Sequence, residues 1–373
     1  MTPARPSLER RLLAALDGVP RRIPFVIGSC GTGRTTLLRA LQRQRGIRTC
    51  QYVDVERSAT TPERFYRALI STSPFHSTDN RPIRTPRDAF ASICAFLNLA
   101  RAENGEPVTF LLDEVLEFRT FESFPGLRGL LPDLFAALAG SENSFVLTTR
   151  YARRAERLLR QPDAFLLLRM PPLTEAEVRD SLAGGSADRP LVPGGRPQPD
   201  STFGDAAHIV QALTDGRPAY VRDLREQMAA LAHDGGADPI SALTALLAPS
   251  GRLSARCAFC YELRLHRARG YGALKAILDI LAQDPPSLTL TEIAQRLHRT
   301  PGSTKDYLSW LEDVDLVAMN RKRYTFADPV LRLWVRLYCR PIPPLDEEVA
   351  REVQRYALER LAQAAPAALQ ASA

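Results

Sequence analysis

A glycine-rich stretch near the N-terminus has the residue types of a phosphate-binding loop. Residues 28–36 read GSCGTGRTT, in which spaced glycines are followed by a basic residue and two threonines. Glycines let successive backbone N–H groups turn towards phosphate oxygens, and a helix that begins after the loop adds positive potential at its N-terminus. The candidate nucleotide ligands in this loop are Gly28, Ser29, Cys30, Gly31, Thr32, Gly33, Arg34, Thr35 and Thr36.

Two threonines and two acids predict a magnesium site beside the loop. The hydroxyl of Thr35 is suited to ligate Mg²⁺, and Thr36 can reach an inner phosphate. Asp113 follows the apolar run VTFLL and would hold the coordination sphere of the metal, while Glu114 could orient or activate a water molecule. We therefore predict Thr35 and Asp113 as metal ligands and Glu114 as a catalytic residue.

Arg34 stands where such loops carry lysine, and this exchange leaves catalysis open. Arginine keeps the positive charge but replaces a compact ammonium with a wide planar fork. Nucleotide binding through backbone amides can survive the exchange, whereas the wide fork disfavours close cradling of the outer phosphates. The sequence predicts a modified site that still binds nucleotide. Two alternatives stay open for hydrolysis: turnover of the nucleotide, or hydrolysis that is slow or absent.

A third polar group follows another apolar run. Residues 144–149 read SFVLTT and are followed by Arg150. An arginine at the end of a strand is usually a solvated or locally paired surface residue, and this interpretation stays open. If the strand lies beside the glycine loop, Thr149 is a candidate nucleotide contact and Arg150 a candidate catalytic sensor of the terminal phosphate.

The elements that must position these groups are read from the alternation of apolar runs and helical patterns. Continuously apolar strands separated by helices predict a parallel sheet that is covered on both faces. Such sheets place ligands at the carboxyl ends of their strands, which is where the glycine loop and the polar groups lie. The predicted strands are 23–28, 50–55, 107–114, 144–149 and 164–169, and the predicted helices include 7–18, 62–71 and 86–102.

The strands stop near residue 170, and a helical region follows that contains a Gly/Pro-rich loop at 184–204. Farther on, helices predicted at 290–298 and 304–312 form a helix–turn–helix whose core holds Ile293, Leu297, Leu308 and Leu311. We therefore predict a nucleotide-binding core at 1–170, a helical segment at 171–250, a winged helix at 251–345 and a C-terminal helix and tail at 346–373.

A basic hairpin at 317–326 predicts the wing of that domain. A DNA interpretation places the second helix in the major groove and the cations on phosphates, with Lys305, Arg321, Lys322 and Arg323 as the contacts. The basic tip could equally be a solvated turn in a domain that only packs on the rest of the chain. The net charge of +7 permits a nucleic-acid partner without requiring one.

Composition excludes some classes of protein. The chain has 373 residues and no apolar run near the roughly 18 residues that cross a bilayer, so we expect no membrane partner. Six scattered cysteines do not form a disulfide framework in a chain of this size. We expect a cytoplasmic protein.

Taken together, these stretches resemble the AAA+-related P-loop ATPases and, more narrowly, the STAND class, with the closest likeness to the archaeal-type ATPases over residues 8–340. The stretch GSCGTGRTT resembles their Walker A motif, TFLLDE their Walker B motif and FVLTTR their sensor strand. The stretch GRP at 216–218 resembles a Gly-x-Pro motif, which implies that Pro218 packs by the base or ribose. The end of the winged helix in that group is similar to YTFADPVLRLWVR.

The resemblance implies an α/β protein with a parallel-sheet P-loop NTPase core, a helical lid and a C-terminal winged helix. It also implies that ATP or ADP binds with Mg²⁺ between the core and the lid, and that the bound nucleotide sets the arrangement of the domains. We therefore predict a nucleotide-dependent switch or ATPase regulator. The alternative is a DNA-binding winged-helix protein with weak or no hydrolysis, as in origin-recognition-like or transposition-associated ATPases. A homo-oligomer, in which Arg150 completes a neighbour's site, and a separate protein partner are further predictions.

Overall fold

A computed structural model describes residues 6–77, 81–159, 163–183, 201–232, 238–266, 270–283 and 287–364, with no side-chain detail for residues 6, 7 and 201–204. The described residues divide into two compact units, the first ending at Pro171 and the second beginning at Pro172. Of the predicted Gly/Pro-rich loop, residues 184–200 lie outside the described residues, as does the tail from 365.

The first unit is built on five parallel strands, as the sequence predicted. They are β1 (Ile23–Ile27), β2 (Cys50–Asp54), β3 (Thr109–Asp113), β4 (Ser144–Thr149) and β5 (Phe165–Arg169). The strands are hydrogen-bonded in the order β2-β3-β4-β1-β5, and every pair is parallel. The register sets Ile27 beside Thr149 and Asp54 beside Asp113, so the ends of these strands meet at one edge of the sheet.

In the described part of this unit, seven α-helices accompany the sheet. They are α1 (Pro6–Asp17), α2 (Arg34–Arg45), α3 (Val55–Ser58), α4 (Pro62–Ser71), α5 (Pro86–Leu99), α6 (Leu130–Ala139) and α7 (Ala152–Leu158), with a 3₁₀ helix at Val115–Ser123. Thr61 and Thr85 cap α4 and α5 by accepting backbone N–H groups, and each helix has proline at its first position, an arrangement typical of helix starts. Helix α5 ends at Leu99, three residues before the predicted end, because Arg101 pairs with the extended backbone of His76 and Pro107.

Alternate residues of the strands bury two faces, as a covered parallel sheet requires. On one face Phe25, Phe110 and Phe145 pack with side chains from α4, α5 and α6. On the other face Val26 and Leu111 pack with α1 and α2. The rings of Phe110 and Phe145 are stacked with their centroids 5.9 Å apart. This double-sided core fixes the strand ends that carry the predicted site.

The second unit begins with helices and ends with a helix–turn–helix and wing. Its elements are α8 (Glu175–Ala183), α9 (Ser201–Thr214), α10 (Pro218–Leu231), α11 (Pro239–Leu247), α12 (Arg252–Leu265), α13 (Tyr271–Ala282), β6 (Leu288–Thr289), α14 (Leu290–Arg296), α15 (Pro301–Asp313), β7 (Val317–Asn320), β8 (Arg323–Phe326), α16 (Pro329–Tyr338) and α17 (Asp346–Ala364). Residues 201–204, predicted as loop, therefore belong to α9.

Strands β6, β8 and β7 form an antiparallel sheet in that order. Arg321 and Lys322 join β7 to β8 with φ of 48° and 64°, as a two-residue hairpin turn of the left-handed type requires. Ile293, Leu308 and Leu311 are fully buried. Leu297 is only partly buried because α14 ends at Arg296, before the predicted end.

Helix α17 packs within this second unit. The hydroxyl of Tyr356 donates to the carbonyl of Leu213 at 2.8 Å, and the guanidinium of Arg360 reaches Asp215 at 3.0 Å. The last helix is thereby joined to the helices of the predicted lid. Among the residues that the structure describes, no helix is both long enough and apolar enough to span a bilayer.

Candidate nucleotide site at the sheet edge

The glycine loop runs from the end of β1 into the first turn of α2. Gly31 and Gly33 have φ of 81° and 93°, a left-handed conformation that glycine adopts without steric cost. Gly33 is the N-cap of α2 and has no side chain to cap it, and the first hydrogen bond into the helix joins the Leu37 amide to the Gly33 carbonyl at 2.9 Å. The preceding amides, those of residues 34–36, have no acceptor within the helix, so they can bind an anion.

The start of the loop is too tight for any residue except glycine. A Cβ atom added at Gly28 would lie 2.7 Å from Thr32 Oγ1 and 2.8 Å from Met170 Cβ. Thr32 holds the loop closed because its hydroxyl donates to the Ser29 carbonyl at 2.8 Å. The backbone of the loop is therefore preformed for close approach to a phosphate.

Thr35 and Asp113, the two predicted metal ligands, lie side by side. The Thr35 hydroxyl donates to Asp113 Oδ2 at 2.7 Å. A hydroxyl oxygen and a carboxylate at this separation are the hard oxygen donors that Mg²⁺ prefers. The pair fits a magnesium ion, and its role as a metal site stays a prediction.

Two further hydroxyls orient Asp113, and sequence reasoning missed both as site residues. Tyr52 donates to Oδ2 at 2.8 Å, and Thr148 donates to Oδ1 at 2.5 Å. The guanidinium carbon of Arg39 lies 3.5 Å from the centroid of the Tyr52 ring, a cation–π contact that holds the ring in place. Burial and the nearby charge of Asp113 raise the pKa of Tyr52, which keeps this hydroxyl protonated as a donor.

Arg34 and Glu114 form a buried ion pair inside the site. The guanidinium Nη2 of Arg34 contacts Glu114 Oε1, and Nη1 donates to the Ser29 carbonyl at 2.7 Å. Glu114 has φ of 56°, which only a few per cent of non-glycine residues show. Burial alone would raise the pKa of Glu114, but the charges of Arg34 and Arg150 outweigh burial and lower it.

Arg150 is buried beside this pair rather than solvated at the surface. Its side chain is 8% exposed and pairs with Glu56, while Nε lies 3.2 Å from Glu114 Oε1. The backbone N–H of Arg150 also donates to Glu114 Oε2 at 3.0 Å. Glu56 was missed by sequence reasoning because it lies in the short helix α3, without a motif around it. Since Arg150 is paired within its own unit, the structure gives no support for its reaching a neighbouring molecule.

The other two predicted nucleotide contacts are Thr149 and Pro218. Thr149 is buried, its carbonyl accepts the Gly28 amide at 3.3 Å and its hydroxyl accepts the Tyr151 amide at 3.2 Å. The hydroxyl that reaches Asp113 belongs to its neighbour Thr148. Pro218 begins α10 in the second unit, and its contact with a nucleotide stays a prediction.

The Gly-x-Pro stretch is fixed by a buried polar cluster in the second unit. Gly216 has φ of 60°, and a Cβ atom there would lie 2.5 Å from the Leu173 carbonyl oxygen. The next residue, Arg217, places Nη1 3.2 Å from Asp328 Oδ2. Tyr220 donates to the same Asp328 oxygen at 2.7 Å. The predicted nucleotide motif and the segment before α16 are thus joined directly.

All four cations predicted to contact DNA are exposed, and they differ in their partners. Lys305 on α15 and the turn residues Arg321 and Lys322 have no ion-pair or hydrogen-bond partner in the described part of the chain. Arg323 differs because its Nη2 donates to the Ser287 carbonyl at 2.9 Å and its Nε donates to the Ser287 hydroxyl at 3.2 Å. The tip of the wing therefore presents two cations rather than three.

Comparison with known proteins gives relatives for both units. The IclR helix–turn–helix domain model matches residues 275–320. Among solved structures, the chain is similar to a Walker-type ATPase of Pyrococcus abyssi, with 18% identity and a TM-score of 0.64 over 89% of this chain and 95% of that chain. The ORC2 protein of Aeropyrum pernix gives 16% identity and a TM-score of 0.49 over 96% and 93% of the two chains. A search of curated proteins found no match.

The likeness to the Pyrococcus ATPase extends over most of both chains, so it is evidence for the fold. Because only 18% of the residues are identical, it is evidence for the fold alone. It agrees with the parallel sheet and the glycine loop between β1 and α2. The helix–turn–helix match covers α14, α15 and the strand after them. The chain therefore shares the fold of that Walker-type ATPase, with a parallel sheet and a phosphate-loop-like turn after its first strand, and it carries a helix–turn–helix with a wing, as the sequence resemblance predicted.

Proposed function

We propose that this protein binds ATP or ADP with Mg²⁺ at the loop of residues 28–36 and acts as a nucleotide-dependent switch or ATPase regulator. The observation that carries this proposal is the uncapped start of α2 directly beside the Thr35–Asp113 pair. An anion-binding helix terminus and a pair of hard oxygen ligands are the two features that a magnesium nucleotide needs. The fold of the relatives supports the same class.

In this proposal different residues of the chain bind the phosphates and the metal ion of the nucleotide complex. The backbone amides of residues 34–36 bind phosphate oxygens, while Thr35 and Asp113 hold the metal, with Tyr52 and Thr148 keeping the Asp113 carboxylate in place. The bound Mg²⁺ would neutralise phosphate charge. Glu114 lies next to Asp113 and is the residue that would orient water, with Arg150 beside it.

The finer parts of the proposal come from the resemblance. They are the packing of Pro218 and Thr149 near the nucleotide, the separate movement of a lid and a winged helix, membership of the STAND class, a cytoplasmic location, and assembly with further copies or a separate protein. Hydrolysis is also a proposal, and release of phosphate from Mg·ATP is the measurement that decides it. Loss of that release in Glu114→Gln would identify Glu114 as catalytic.

The substitution Thr35→Val is expected to weaken the binding of Mg·ATP about tenfold, because it removes one metal ligand without changing the shape of the side chain. Titration calorimetry of ATP and ADP, with Mg²⁺ and with a chelator, measures the effect. Thr60→Val, at an exposed position outside the loop, is the matched control. A wild-type protein without Mg²⁺-dependent affinity for either nucleotide would overturn the proposed function.

A second candidate function is DNA binding, which the exposed wing turn favours. Arg321 and Lys322 lie together at the tip of a hairpin, and Lys305 is exposed on the second helix of a matched helix–turn–helix. In winged helices of this form, the second helix enters the major groove and the wing cations contact phosphates. In this alternative the protein resembles origin-recognition or transposition-associated regulators, with weak or no hydrolysis.

Replacing Arg321 and Lys322 together with alanine is expected to weaken binding to duplex DNA and to reduce the slope of log K against log salt by about 2, one unit for each cation removed from a phosphate. Fluorescence anisotropy at several salt concentrations measures both quantities. The control removes two exposed charges from surface helices, as Arg43→Ala with Arg351→Ala. An equal effect of both double variants would indicate a response to net charge rather than contact by the wing.

A further inference from the structure

The two terminal nitrogens of Arg34 are both committed to groups of the protein. Nη2 pairs with Glu114 Oε1, and Nη1 donates to the Ser29 carbonyl. The side chain is 9% exposed, and only its Nε has no hydrogen-bond partner among the described residues. Each terminal nitrogen therefore already donates one N–H to the protein, and a phosphate that takes the Nη2 side of the guanidinium must compete with Glu114.

The carboxylate of Glu114 is held in place from several sides. Arg34 and Arg150 Nε face Oε1, and the backbone N–H of Arg150 donates to Oε2 at 3.0 Å. The Glu114 backbone N–H donates to the hydroxyl of Thr148 at 3.0 Å, which helps to maintain the left-handed conformation of this residue. Such a conformation is costly for a residue with a Cβ atom, and the surrounding contacts maintain it.

Four side chains form a charge-balanced chain across the site. Glu56 pairs with Arg150, Arg150 with Glu114, and Glu114 with Arg34. The two arginines and two glutamates cancel in charge, so the buried network lacks a spare cation for another anion. A phosphate that approached Arg34 would meet the Glu114 carboxylate already bound there, and like charges repel strongly in a poorly solvated site.

We propose that Glu114 competes with the outer phosphate of the bound nucleotide for Arg34, so that nucleotide binding releases Glu114 from this arginine. This inference rests on the proposed function and adds a means of regulation to the same site. The free site is closed by its own carboxylate, and a nucleotide opens it by replacing Glu114 on the guanidinium. Glu114 becomes able to face water only when a nucleotide is present.

The exchange of lysine for arginine at position 34 has a role in this scheme. A guanidinium is a planar fork that can bind Ser29 and Glu114 at the same time with separate nitrogens. A lysine ammonium is a single centre on a flexible stem and would bind the two groups less rigidly. Arg34→Lys should therefore weaken the competition while it keeps the charge.

The test is a double-mutant cycle on nucleotide affinity, measured by calorimetry with ADP and with a non-hydrolysable ATP analogue in Mg²⁺. Glu114→Gln is expected to raise the affinity for the ATP analogue about tenfold, because it removes the competing charge from Arg34. In an Arg34→Met background the same change should raise affinity less than about twofold, since no guanidinium remains to compete for. In Arg34→Lys the gain should be intermediate.

Glu106→Gln is the matched control, because it removes the same charge from an exposed position of the first unit and leaves the Arg34–Glu114 contact in place. It should change affinity less than about twofold. Thermal melting of every variant confirms folding. A gain in Glu114→Gln that is equally large with Arg34→Met would show a general charge effect and overturn the competition. Unchanged or weaker binding by Glu114→Gln would overturn it too, whereas no binding by any variant or by the wild type overturns the proposed function itself.

Discussion

Replacing Asp328 with alanine is expected to lower the free energy of unfolding of the second unit by about 3–5 kcal/mol, the usual cost of removing one partner from a buried ion pair. Asp328 and Arg217 are each 8% exposed, with Oδ2 3.2 Å from Nη1. Burial opposes the charge of Arg217, but the carboxylate of Asp328 outweighs burial and raises the pKa of Arg217. Without that carboxylate the guanidinium stays buried without its compensating charge.

The same substitution removes two further functions of the Asp328 side chain. Its Oδ1 accepts the amides of Val330 and Leu331 at 3.0 and 3.2 Å and so caps α16, and its Oδ2 accepts the Tyr220 hydroxyl. Removing an N-cap costs about 1 kcal/mol. Because these interactions share one carboxylate, their energies are coupled and do not add independently.

Urea unfolding followed by tryptophan fluorescence measures this effect in the correct unit, since the two tryptophans of the chain, Trp310 and Trp334, both lie after Pro172. Asp306→Ala removes an exposed acid from α15 and should change stability by less than about 0.5 kcal/mol. Asp328→Asn keeps the cap and removes the charge, so it should fall between the two. Equal stability of Asp328→Ala and Asp306→Ala would contradict the importance assigned to this pair.

The fold could be predicted from the sequence because its signals are local. Continuous apolar runs marked the five strands, and β4 was placed to the residue. The glycine loop and the acids at the end of β3 were placed at one edge, since parallel strands end together. The errors lie at element ends such as those of α5 and α14, where contacts distant in the sequence or the local turn decide the last residues.

The partners of the site residues could not be predicted in the same way. Tyr52 and Asp113 are 61 residues apart, and Arg150 and Glu56 are 94 apart. No periodicity relates positions so distant, and a tyrosine in a buried strand is typical of packing alone. The sequence indicated that Arg34 keeps a positive charge, but its commitment to Glu114 depends on the left-handed turn after β3, which no local residue pattern predicts.

Asp113→Asn is expected to reduce the Mg²⁺-dependent part of nucleotide affinity about 100-fold, because it removes the charged ligand of the proposed metal pair while keeping the size of the side chain. Affinity measured with a chelator should change less than about threefold, since the loop amides that bind phosphate are unaffected. The Tyr52, Thr35 and Thr148 hydroxyls can rotate to bind the amide. Calorimetry with ATP and ADP, with and without Mg²⁺, separates the two contributions.

Asp54→Asn is the matched control for this prediction. Asp54 ends β2 directly beside Asp113 in the sheet register, and its side chain caps α3 by accepting the Arg57 amide at 3.0 Å, which asparagine also does. The two variants remove the same charge at neighbouring strand ends, so a metal ligand and a nearby charge give different results. Asp113→Asn and Asp54→Asn could instead lower nucleotide affinity equally, both with Mg²⁺ and with a chelator. In that case Asp113 would act only through its negative charge, and the Thr35–Asp113 pair would not be the metal site.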